Sequence, residues 1–310
     1  MKQRHGLVLV DKAAGLTSHD VVAIARRRTG IRKIGHTGTL DPLATGLLVL
    51  CIGKATRLQS YLMNTEKVYE GTIQFGWATD SYDAAGAAVG DPTEASIERR
   101  DFTEMLAGLT GEIEQIPPRF SAKKIDGVRA YELARRGETP EMKPKKVTVS
   151  EFVITSVAGS VATFRVRCSA GTYVRSLAHD LGTMTGLGAH LQSLRRVSTG
   201  SYNVSDAITS DALGKKTAEE ILALPHYQDI DGLDLAFESI LIDRAQEARM
   251  LRGETVIVKP ESDSLTTNDL VAIRGMGDEL IAIATVAQVI RAGGGPVALQ
   301  PKVVLKDSES

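Results

Sequence analysis

The chain has 310 residues, 43% of them apolar, so it is long enough for two globular domains and has the composition of a soluble protein. Its two cysteines, Cys51 and Cys168, are too few for a disulfide scaffold or a zinc cluster, which favours reduced thiols in a cytoplasmic protein. The net charge of −1 hides an asymmetry. Residues 1–205 carry 27 Lys and Arg against 20 Asp and Glu, whereas residues 206–310 carry 10 against 18. This asymmetry fits a polyanion bound mainly by the first part, although a solvated charged face is the simpler alternative for the charge pattern alone.

The first elements alternate between strand and helix. Residues 7–10 predict a strand that is too short for a signal peptide or a membrane span, so no membrane association is expected. Ser18 is expected to cap a helix over residues 19–29. The apolar run 47–52 predicts a buried strand, and the alternation along 67–77 predicts a second strand with one apolar face.

The middle of the chain predicts elements of both kinds. Asp101 is expected to cap a short helix. Residues 146–157 and 161–168 predict two strands joined by a turn of small residues. The apolar spacing over 174–181 predicts a helix, and residues 206–235 have a mostly helical pattern followed by a linker-like composition.

After residue 238 the pattern changes. It predicts one helix and four short strands, at 243–251, 254–259, 270–274, 280–286 and 297–305. One helix with several short strands is typical of a small barrel. The chain is thus expected to be an α+β protein with a larger domain at 1–238 and a small, mostly-β domain at 239–310.

The stretch GHTGTLDPLATGLL, residues 35–48, holds one acid, Asp41, among glycines, threonines and apolar residues. Its glycines permit a ligand to approach the backbone closely, and Pro42 fixes the chain directly after the acid. Asp41 is therefore expected on a stiff loop at the mouth of the buried strand. For this stretch taken alone, an aspartate that caps its own turn is the simpler alternative.

Several other chemistries lack their motifs. Gly53-Lys54 is followed by Ala55, and no glycine stands five residues before Gly53, so there is no P-loop. The sequence also lacks the H-x-E with P-C-x-x-C signature of zinc deaminases and the G-x-S-x-G elbow of hydrolases. No pair or cluster of residues has zinc spacing either, so no metal site is expected.

The stretch at 35–48 closely resembles the catalytic motif of pseudouridine synthases, specifically of the tRNA pseudouridine synthase B family. Further motifs extend the resemblance over about residues 7–200: LVLVDKAAGLTSHDVV, KVY, GEIEQIPPRFSAKKIDGVRAYELARRG, CSAGTYVRSLAHDLG and LRR. The departures are conservative, such as Ala13 for the usual proline and Phe120 for the common tyrosine. The resemblance implies a mixed-sheet pseudouridine synthase catalytic domain, with an RNA-gripping insertion at about 111–145, followed by a PUA-like barrel domain.

The resemblance also implies roles for individual residues. Asp41 corresponds to the catalytic nucleophile, and Arg175 to the catalytic residue that pairs with it. Tyr69 corresponds to a further catalytic residue that contacts the flipped uridine together with Tyr173. The other expected substrate-binding residues are His36, which packs against a nucleotide, Leu194, which lines the base pocket, and the phosphate-contacting Lys123, Lys124 and Arg129.

These residue types suit an isomerisation in which uracil leaves the sugar, turns and rejoins it. Nothing is oxidised and no group is added, so no cofactor and no metal are expected. The reaction needs a nucleophile that attacks and later leaves. A carboxylate can do both if a cation offsets the rise in pKa that burial causes, and an arginine can bridge it bidentately. The simpler alternatives are a core role for Tyr69, a helix-surface role for Arg175, a packing role for Tyr173 and a turn role for His36.

The implied activity is isomerisation of uridine 55 in the T loop of tRNA by a monomeric enzyme. The uridine must be flipped out at a cost of about a few kcal/mol. Two alternatives remain open: a guide-RNA-dependent pseudouridine synthase, and a non-catalytic tRNA-binding or tRNA-folding module. The insertion at 111–137 argues against the first. The combination of Asp41, Tyr69 and Arg175 argues against the second as the sole role.

Overall fold

A computed structural model describes residues 4–93, 95–98, 100–120, 136, 142–223, 225–290 and 295–306, and the backbone of 124–125 and 128–129. The strands are β1 (Gly6–Lys12), β2 (Ile34–His36), β3 (Thr45–Ile52), β4 (Lys67–Phe75), β5 (Ala78–Thr79), β6 (Ala88–Val89), β7 (Gly111–Gln115), β8 (Lys124–Ile125), β9 (Val128–Arg129), β10 (Lys145–Ala158), β11 (Val161–Cys168), β12 (Ala189–Thr199), β13 (Tyr202–Asn203), β14 (Ile208–Thr209), β15 (Tyr227–Asp229), β16 (Glu238–Leu241), β17 (Val256–Val258), β18 (Leu270–Arg274), β19 (Leu280–Val289) and β20 (Val297–Val304). The α-helices are α1 (Ser18–Thr29), α2 (Gln59–Met63), α3 (Thr103–Gly108), α4 (Val174–Thr185), α5 (Ser210–Leu213), α6 (Ala218–Ile221) and α7 (Arg244–Leu251). Short 3-10 helices lie at Gly53–Leu58, Val204–Asp206 and Ile230–Gly232.

An 11-stranded mixed sheet forms the larger part of the molecule. Its main path runs β14-β1-β3-β12-β4-β11-β10-β7, with β2, β13 and β15 attached to β3, β12 and β1. The pairing of β1 with β3 is antiparallel, whereas β3 and β12 run parallel. The predicted strands at 7–10, 47–52, 146–157 and 161–168 lie in this sheet, and the strand predicted at 67–77 lies in it up to Phe75. The predicted mixed-sheet α+β architecture is thus confirmed.

Strand β3 is apolar at almost every position because both of its faces are buried. Leu48 and Leu50 face the cluster that packs under α1 and α4. Leu47 and Val49 face a second cluster on the opposite side of the sheet. Since successive side chains of a strand point to opposite faces, a continuous apolar run is what such a doubly covered strand requires.

Helix α1 begins one residue earlier than predicted. Its N-cap is Thr17, which forms a capping box with Asp20, so the prediction of Ser18 as the cap was wrong. The hydroxyl of Ser18 is buried instead. It accepts a hydrogen bond from the backbone N–H of Leu40 at 2.9 Å and lies 3.2 Å from the carbonyl of Leu40, to which it can donate. The start of α1 thereby holds the loop that carries Asp41.

Helix α4 is confirmed, and it carries its apolar face to the sheet. Val174, Leu177, Ala178 and Leu181 are all buried, with Leu177, Ala178 and Leu181 fully so. The helix ends at Gly186, whose φ of +72° suits a glycine at this terminus. Packing of this face against β12 places the first turn of α4 at the cavity described below.

Two predictions for the shorter elements were wrong. The N-cap of α3 is Phe102, while the carboxylate of Asp101 accepts hydrogen bonds from the backbone and hydroxyl of Thr103. Residues 206–235 contain two short helices but also β14 and β15, which pair with β1 in parallel and antiparallel fashion. Strands of two or three residues carry no periodicity of their own, so the partner strand determines them.

The C-terminal residues form a second sheet of five strands in the order β16-β18-β19-β20-β17. The predicted helix at 243–251 and the predicted hairpin are confirmed as α7 and as β18–β19. The sheet buries its own cluster, which includes Ile273, Ile281 and Leu299. Within the described residues, no helix combines the length and hydropathy that crossing a bilayer would require.

The two sheets share one apolar cluster. Leu7, Leu9 and Val49 of the large sheet pack in it with Ile283 of the C-terminal sheet and with Leu305, which directly follows β20. All five side chains are at most 5% exposed. Removing the C-terminal sheet would therefore expose a core face of the large sheet, at a cost of roughly 1.5–3 kcal/mol for each large side chain uncovered.

Candidate active site

A cavity of about 370 Å³ opens between the loop 37–44 and the start of α4. Its lining brings together five residues that the sequence analysis predicted for the site, which are Asp41, Tyr69, Tyr173, Arg175 and Leu194. They come from one loop, from β4 and β12, and from the N-terminal end of α4. Residues far apart in sequence are thus collected around one concave surface, as a small-ligand site requires.

The carboxylate of Asp41 points into this cavity. The turn that follows the residue is closed by its backbone carbonyl, which accepts from the N–H of Ala44 at 3.0 Å. Its side chain remains 40% accessible and contacts Arg175. The geometry thus disfavours the alternative in which the aspartate caps its own turn, since the carboxylate faces open space and a cation.

Gly46 and Arg196 fix the far end of the loop. Gly46 has a φ of +97°, and a Cβ atom there would lie 2.3 Å from the backbone oxygen of Arg196. The glycine is therefore required by the close parallel approach of β3 and β12. The guanidinium of Arg196 is fully buried and donates to the carbonyls of Leu47 at 2.6 Å and Gly38 at 3.1 Å. The sequence analysis did not assign Arg196 to the site.

Arg175 lies at the centre of the site and is 6% exposed, so a helix-surface role is wrong. Its Nε atom lies 3.0 Å from Oδ2 of Asp41. Its Nη1 atom donates to Oδ2 of Asp83 at 3.1 Å and to the carbonyl of Ser81 at 3.2 Å. Its Nη2 atom donates to the carbonyl of Phe120 at 3.1 Å. Each of the three guanidinium nitrogens thus has an acceptor, which fixes the plane of the group.

Asp83 is a second carboxylate on the same guanidinium, and the sequence analysis missed it. It is 5% exposed, and its Oδ1 atom accepts from the hydroxyl of Ser81 at 2.7 Å and the N–H of Ala85 at 3.1 Å. Asp83 is 92 residues from Arg175 in sequence. In a polar loop such an aspartate is typical of a turn, so nothing in the local pattern indicated a site.

The electrostatics of Asp41 reflect opposing effects. Desolvation by the surrounding cavity walls raises the pKa of its carboxyl, the nearby Arg175 lowers it, and the negative charge of Asp83 raises it further. The net direction is upward from the ordinary 3.8. Arg175 therefore limits the rise and favours the ionised form that a nucleophile needs.

The pH dependence of turnover follows from this direction. If Asp41 must be ionised, the single-turnover rate should increase with pH through a value above 3.8. Arg175→Gln should move that rising limb to higher pH, because the cation that lowers the pKa of Asp41 is lost. Rapid-quench measurements from pH 4 upwards check both statements. An acid limb that is unchanged in Arg175→Gln would contradict the assignment of this limb to the ionisation of Asp41.

Tyr69 and Tyr173 are held by different means. Tyr69 is 7% exposed on β4, and burial raises the pKa of its phenol while Arg196 opposes the rise, so the hydroxyl remains protonated at neutral pH. Tyr173 is the N-cap residue of α4, and its backbone N–H and carbonyl pair with the side-chain amide of Gln115 at 2.7 and 3.0 Å. Gln115, which is 2% exposed, is a positioning residue that the sequence analysis missed.

His36 lies at the end of β2 beside the loop and is not among the residues lining the cavity. Its Nδ1 atom accepts from the N–H of Gly38 at 3.3 Å, and its ring packs edge-on to His19 at 5.7 Å. Burial lowers the pKa of His36 to about 4, and the neighbouring His19 and Arg196 lower it as well. The ring is therefore neutral at physiological pH and lies next to the cavity.

Two buried lysines add positive charge. Lys12 donates to the carbonyls of Leu16 at 2.7 Å and Ala13 at 3.0 Å, and burial lowers its pKa to about 8 while Asp41 opposes this shift. Lys67 lines the cavity, donates to the carbonyls of residues 63 and 65, and also has a pKa lowered to about 8 by burial. With Arg175 and Arg196, these lysines make four cations, against the two carboxylates of Asp41 and Asp83. The site is thus suited to a ligand that carries negative charge.

Three predicted RNA contacts cannot be placed by their side chains. Lys123 lies outside the described residues. Lys124 and Arg129 are paired on β8 and β9, and the description there covers the backbone. Within the part of the chain that the structure describes, no group of three or more His, Cys, Asp or Glu side chains could hold a metal ion.

The fold is shared with solved structures. One, described as the crystal structure of the archaeal box H/ACA sRNP Nop10-Cbf5 complex, covers 99% of this chain and 88% of its own, with a TM-score of 0.74 and 23% identity. Another, of a Cbf5-Nop10-Gar1 complex, covers 98% and 85% with a TM-score of 0.72 and 25% identity.

The sequence comparisons define the class as pseudouridine synthase. The family model described as TruB family pseudouridylate synthase (N terminal domain) matches residues 26–174, and that of the tRNA pseudouridylate synthase B C-terminal domain matches 175–226. The chain is 41% identical to tRNA pseudouridine synthase B of Solibacter usitatus, over 91% of this chain and 95% of the relative. It is 49% identical to that of Thermobifida fusca, over 81% and 86%. The chain belongs to the TruB family of pseudouridine synthases, which confirms the predicted family and makes it an isomerase.

Proposed function

We propose that this chain isomerises uridine 55 in the T loop of tRNA to pseudouridine, with Asp41 as the nucleophile. The observation that carries the proposal is the 3.0 Å contact between Asp41 and Arg175 at the wall of a 370 Å³ cavity. The curated relatives are named tRNA pseudouridine synthase B, which supports tRNA as the substrate.

In the proposed reaction the uridine is flipped out of its loop into the cavity. The Asp41 carboxylate attacks the nucleotide, the bond from N1 to C1′ breaks, and uracil turns and rejoins C1′ through C5. The proton on C5 is lost and N1 gains one, so no oxidant is consumed. Arg175 stabilises the carboxylate both before its attack and when it leaves.

The remaining predicted residues bind the RNA. The neutral phenol of Tyr69, the ring of Tyr173 and the side chain of Leu194 contact the flipped base and its surroundings. His36 packs against a displaced nucleotide with its neutral ring. Lys123, Lys124 and Arg129 contact phosphates from the insertion at about 111–145, and the excess of cations around the cavity favours the same polyanion.

Charge reversal of Lys123 and Lys124 should weaken RNA binding. We expect Lys123→Glu/Lys124→Glu to reduce affinity and to lower the salt slope by about one unit for each lost phosphate contact. Lys259→Glu/Lys302→Glu makes the same charge change in the C-terminal region, directly after β17 and within β20, and should have a smaller effect. Titration of labelled T-stem-loop RNA at several salt concentrations measures both. Equal effects of the two double variants would place the RNA on a different surface.

The domain organisation is part of the proposal. Residues 1–238 form the catalytic domain, and 239–310 form a small PUA-like domain. The separate cluster within the second sheet supports this division. The cluster shared by the two sheets implies that the domains stabilise each other. We expect the enzyme to be a cytoplasmic monomer.

The test is incubation of the purified chain with a synthetic T-stem-loop RNA, followed by mapping of pseudouridine. Formation at the uridine that corresponds to position 55, without any guide RNA, is the expected result. Activity that requires an added guide would favour the guide-RNA-dependent alternative. Binding without product in a folded sample would favour the non-catalytic alternative.

A further inference from the structure

Tyr82 has an unusual backbone conformation beside the cavity. Its φ is +65°, a region that favours glycine because the Cβ of an L-residue crowds the backbone there. Among the described residues, positive φ outside glycine occurs otherwise at Ala236, Asn268 and Asp278. An aromatic residue in this region needs surrounding contacts to hold it, and such strain is concentrated at functional sites.

The two neighbours of Tyr82 in sequence hold the central arginine. The carbonyl of Ser81 and the Oδ2 atom of Asp83 both accept from Nη1 of Arg175, at 3.2 and 3.1 Å. These acceptors precede and follow Tyr82, so the conformation of Tyr82 sets their relative direction. Rotation of Tyr82 to an ordinary φ would move one acceptor away from the guanidinium.

The ring of Tyr82 is stacked on His179. The two ring centroids are 3.8 Å apart and the planes differ by 13°. His179 lies four residues after Arg175 on α4, so both side chains project from the same face of one helix. The backbone of Tyr82 is also held, since its carbonyl accepts from the N–H of Leu191 at 2.9 Å.

His179 is suited to stacking rather than to hydrogen bonding. Its Nδ1 atom is buried and has no hydrogen-bond partner among the described residues. Burial also lowers the pKa of His179, which favours the neutral ring. A buried polar atom without a partner is unfavourable, so the flat face of the ring is the feature that this position uses.

We propose that Tyr82 is a positioning residue whose stack on His179 holds Ser81 and Asp83 against Arg175 and thereby orients the guanidinium toward Asp41. The inference rests on the proposed function for its kinetic readout. Tyr82 and His179 both lie outside the cavity lining, so they act through the guanidinium of Arg175.

The test compares Tyr82→Phe, Tyr82→Ala, Tyr82→Gly and His179→Ala in the full chain. Single-turnover rate and KM are measured on T-stem-loop RNA, with thermal melts to normalise to folded protein. Tyr82→Phe keeps the stack and should retain the wild-type rate. Tyr82→Ala and His179→Ala should each lower the rate at least ~10-fold with KM unchanged within about threefold, since misplacement by 1 Å can cost about 100-fold. Tyr82→Gly loses the stack but relieves the backbone strain, so its rate should lie between those of wild type and Tyr82→Ala.

The double variant Tyr82→Ala/His179→Ala adds a coupling test. If the two rings act as a unit, the double variant should be no slower than the slower of the two single variants. Additive losses, a wild-type rate in Tyr82→Gly or His179→Ala, or losses confined to KM would each overturn the proposal. The last result would make Tyr82 an RNA contact. The glycine and histidine variants keep the test decisive if Tyr82→Ala does not fold.

A second readout does not depend on activity. The Nε–H signal of Arg175 in ¹⁵N NMR should shift in Tyr82→Ala and His179→Ala but not in Tyr82→Phe. If the wild-type chain makes no pseudouridine, the proposed function fails, and this signal still reports whether the stack fixes the guanidinium. A signal that is identical in all variants overturns the positioning role.

Discussion

Asp41→Asn should lower the single-turnover rate at least ~10³-fold, because the amide retains the shape of the side chain but cannot act as an anionic nucleophile. RNA affinity should change by less than about 1.4 kcal/mol, a factor of ten, since the carboxylate contacts Arg175 and not the backbone of its own loop. Rapid quench and equilibrium titration measure the two quantities on one T-stem-loop RNA.

The same variant separates catalysis from stability. Burial raises the pKa of Asp41, so the ionised form is disfavoured by folding, and the stability of the wild-type protein should decrease as pH rises from 3.8 through the raised value. Asn does not titrate and avoids this decrease. The melting temperature of Asp41→Asn at neutral pH should therefore equal or exceed that of wild type, with the difference disappearing in acid.

Asp101→Asn is the matched control. Asp101 is an exposed loop aspartate whose carboxylate accepts from Thr103, so its replacement should affect stability slightly and leave turnover unchanged. An Asp41→Asn protein that melts lower but turns over at the wild-type rate would restore the turn-residue alternative and contradict the mechanism.

Long periodic elements could be predicted from the sequence because their patterns are local. The apolar run of β3 follows from burial on both faces, and the inner face of α4 follows from helical spacing. The edge strands β14 and β15 could not be predicted, since their two or three residues are held by β1. The prediction that Ser18 caps α1 was wrong because a hydroxyl near a helix start can bind either the helix terminus or a neighbouring loop.

The sequence predicted those site residues that lie in motifs resembling a known family. Asp41 and Arg175 were identified by their motifs and meet in the structure. Asp83, Gln115 and the stack on Tyr82 were not, because each acts through a partner 58 or more residues away. Which buried polar groups meet depends on the packing of the whole sheet, and no local pattern contains that information.

Arg175→Lys should lower the single-turnover rate at least ~100-fold, although the charge is kept. The guanidinium contacts four acceptors through three nitrogens, and it joins the carboxylates of Asp41 and Asp83. An ammonium is a single point of donation and cannot reproduce this fork. At least one of the partners must lose its donor, and Asp83 is 5% exposed, so we also expect a loss of about 1–3 kcal/mol in the free energy of unfolding.

Arg165→Lys is the control for the chemistry of the substitution. Arg165 pairs with Glu70 at 2.6 Å on the exposed face of the sheet, with 35% of its side chain accessible. Its replacement should change stability by at most about 0.5 kcal/mol and leave the rate unchanged. If the two lysine variants behaved alike, the positive charge of Arg175 would be sufficient and its geometry irrelevant. A large loss confined to Arg175→Lys, measured on folded protein, would instead show that the site depends on the orientation of one planar cation between two carboxylates.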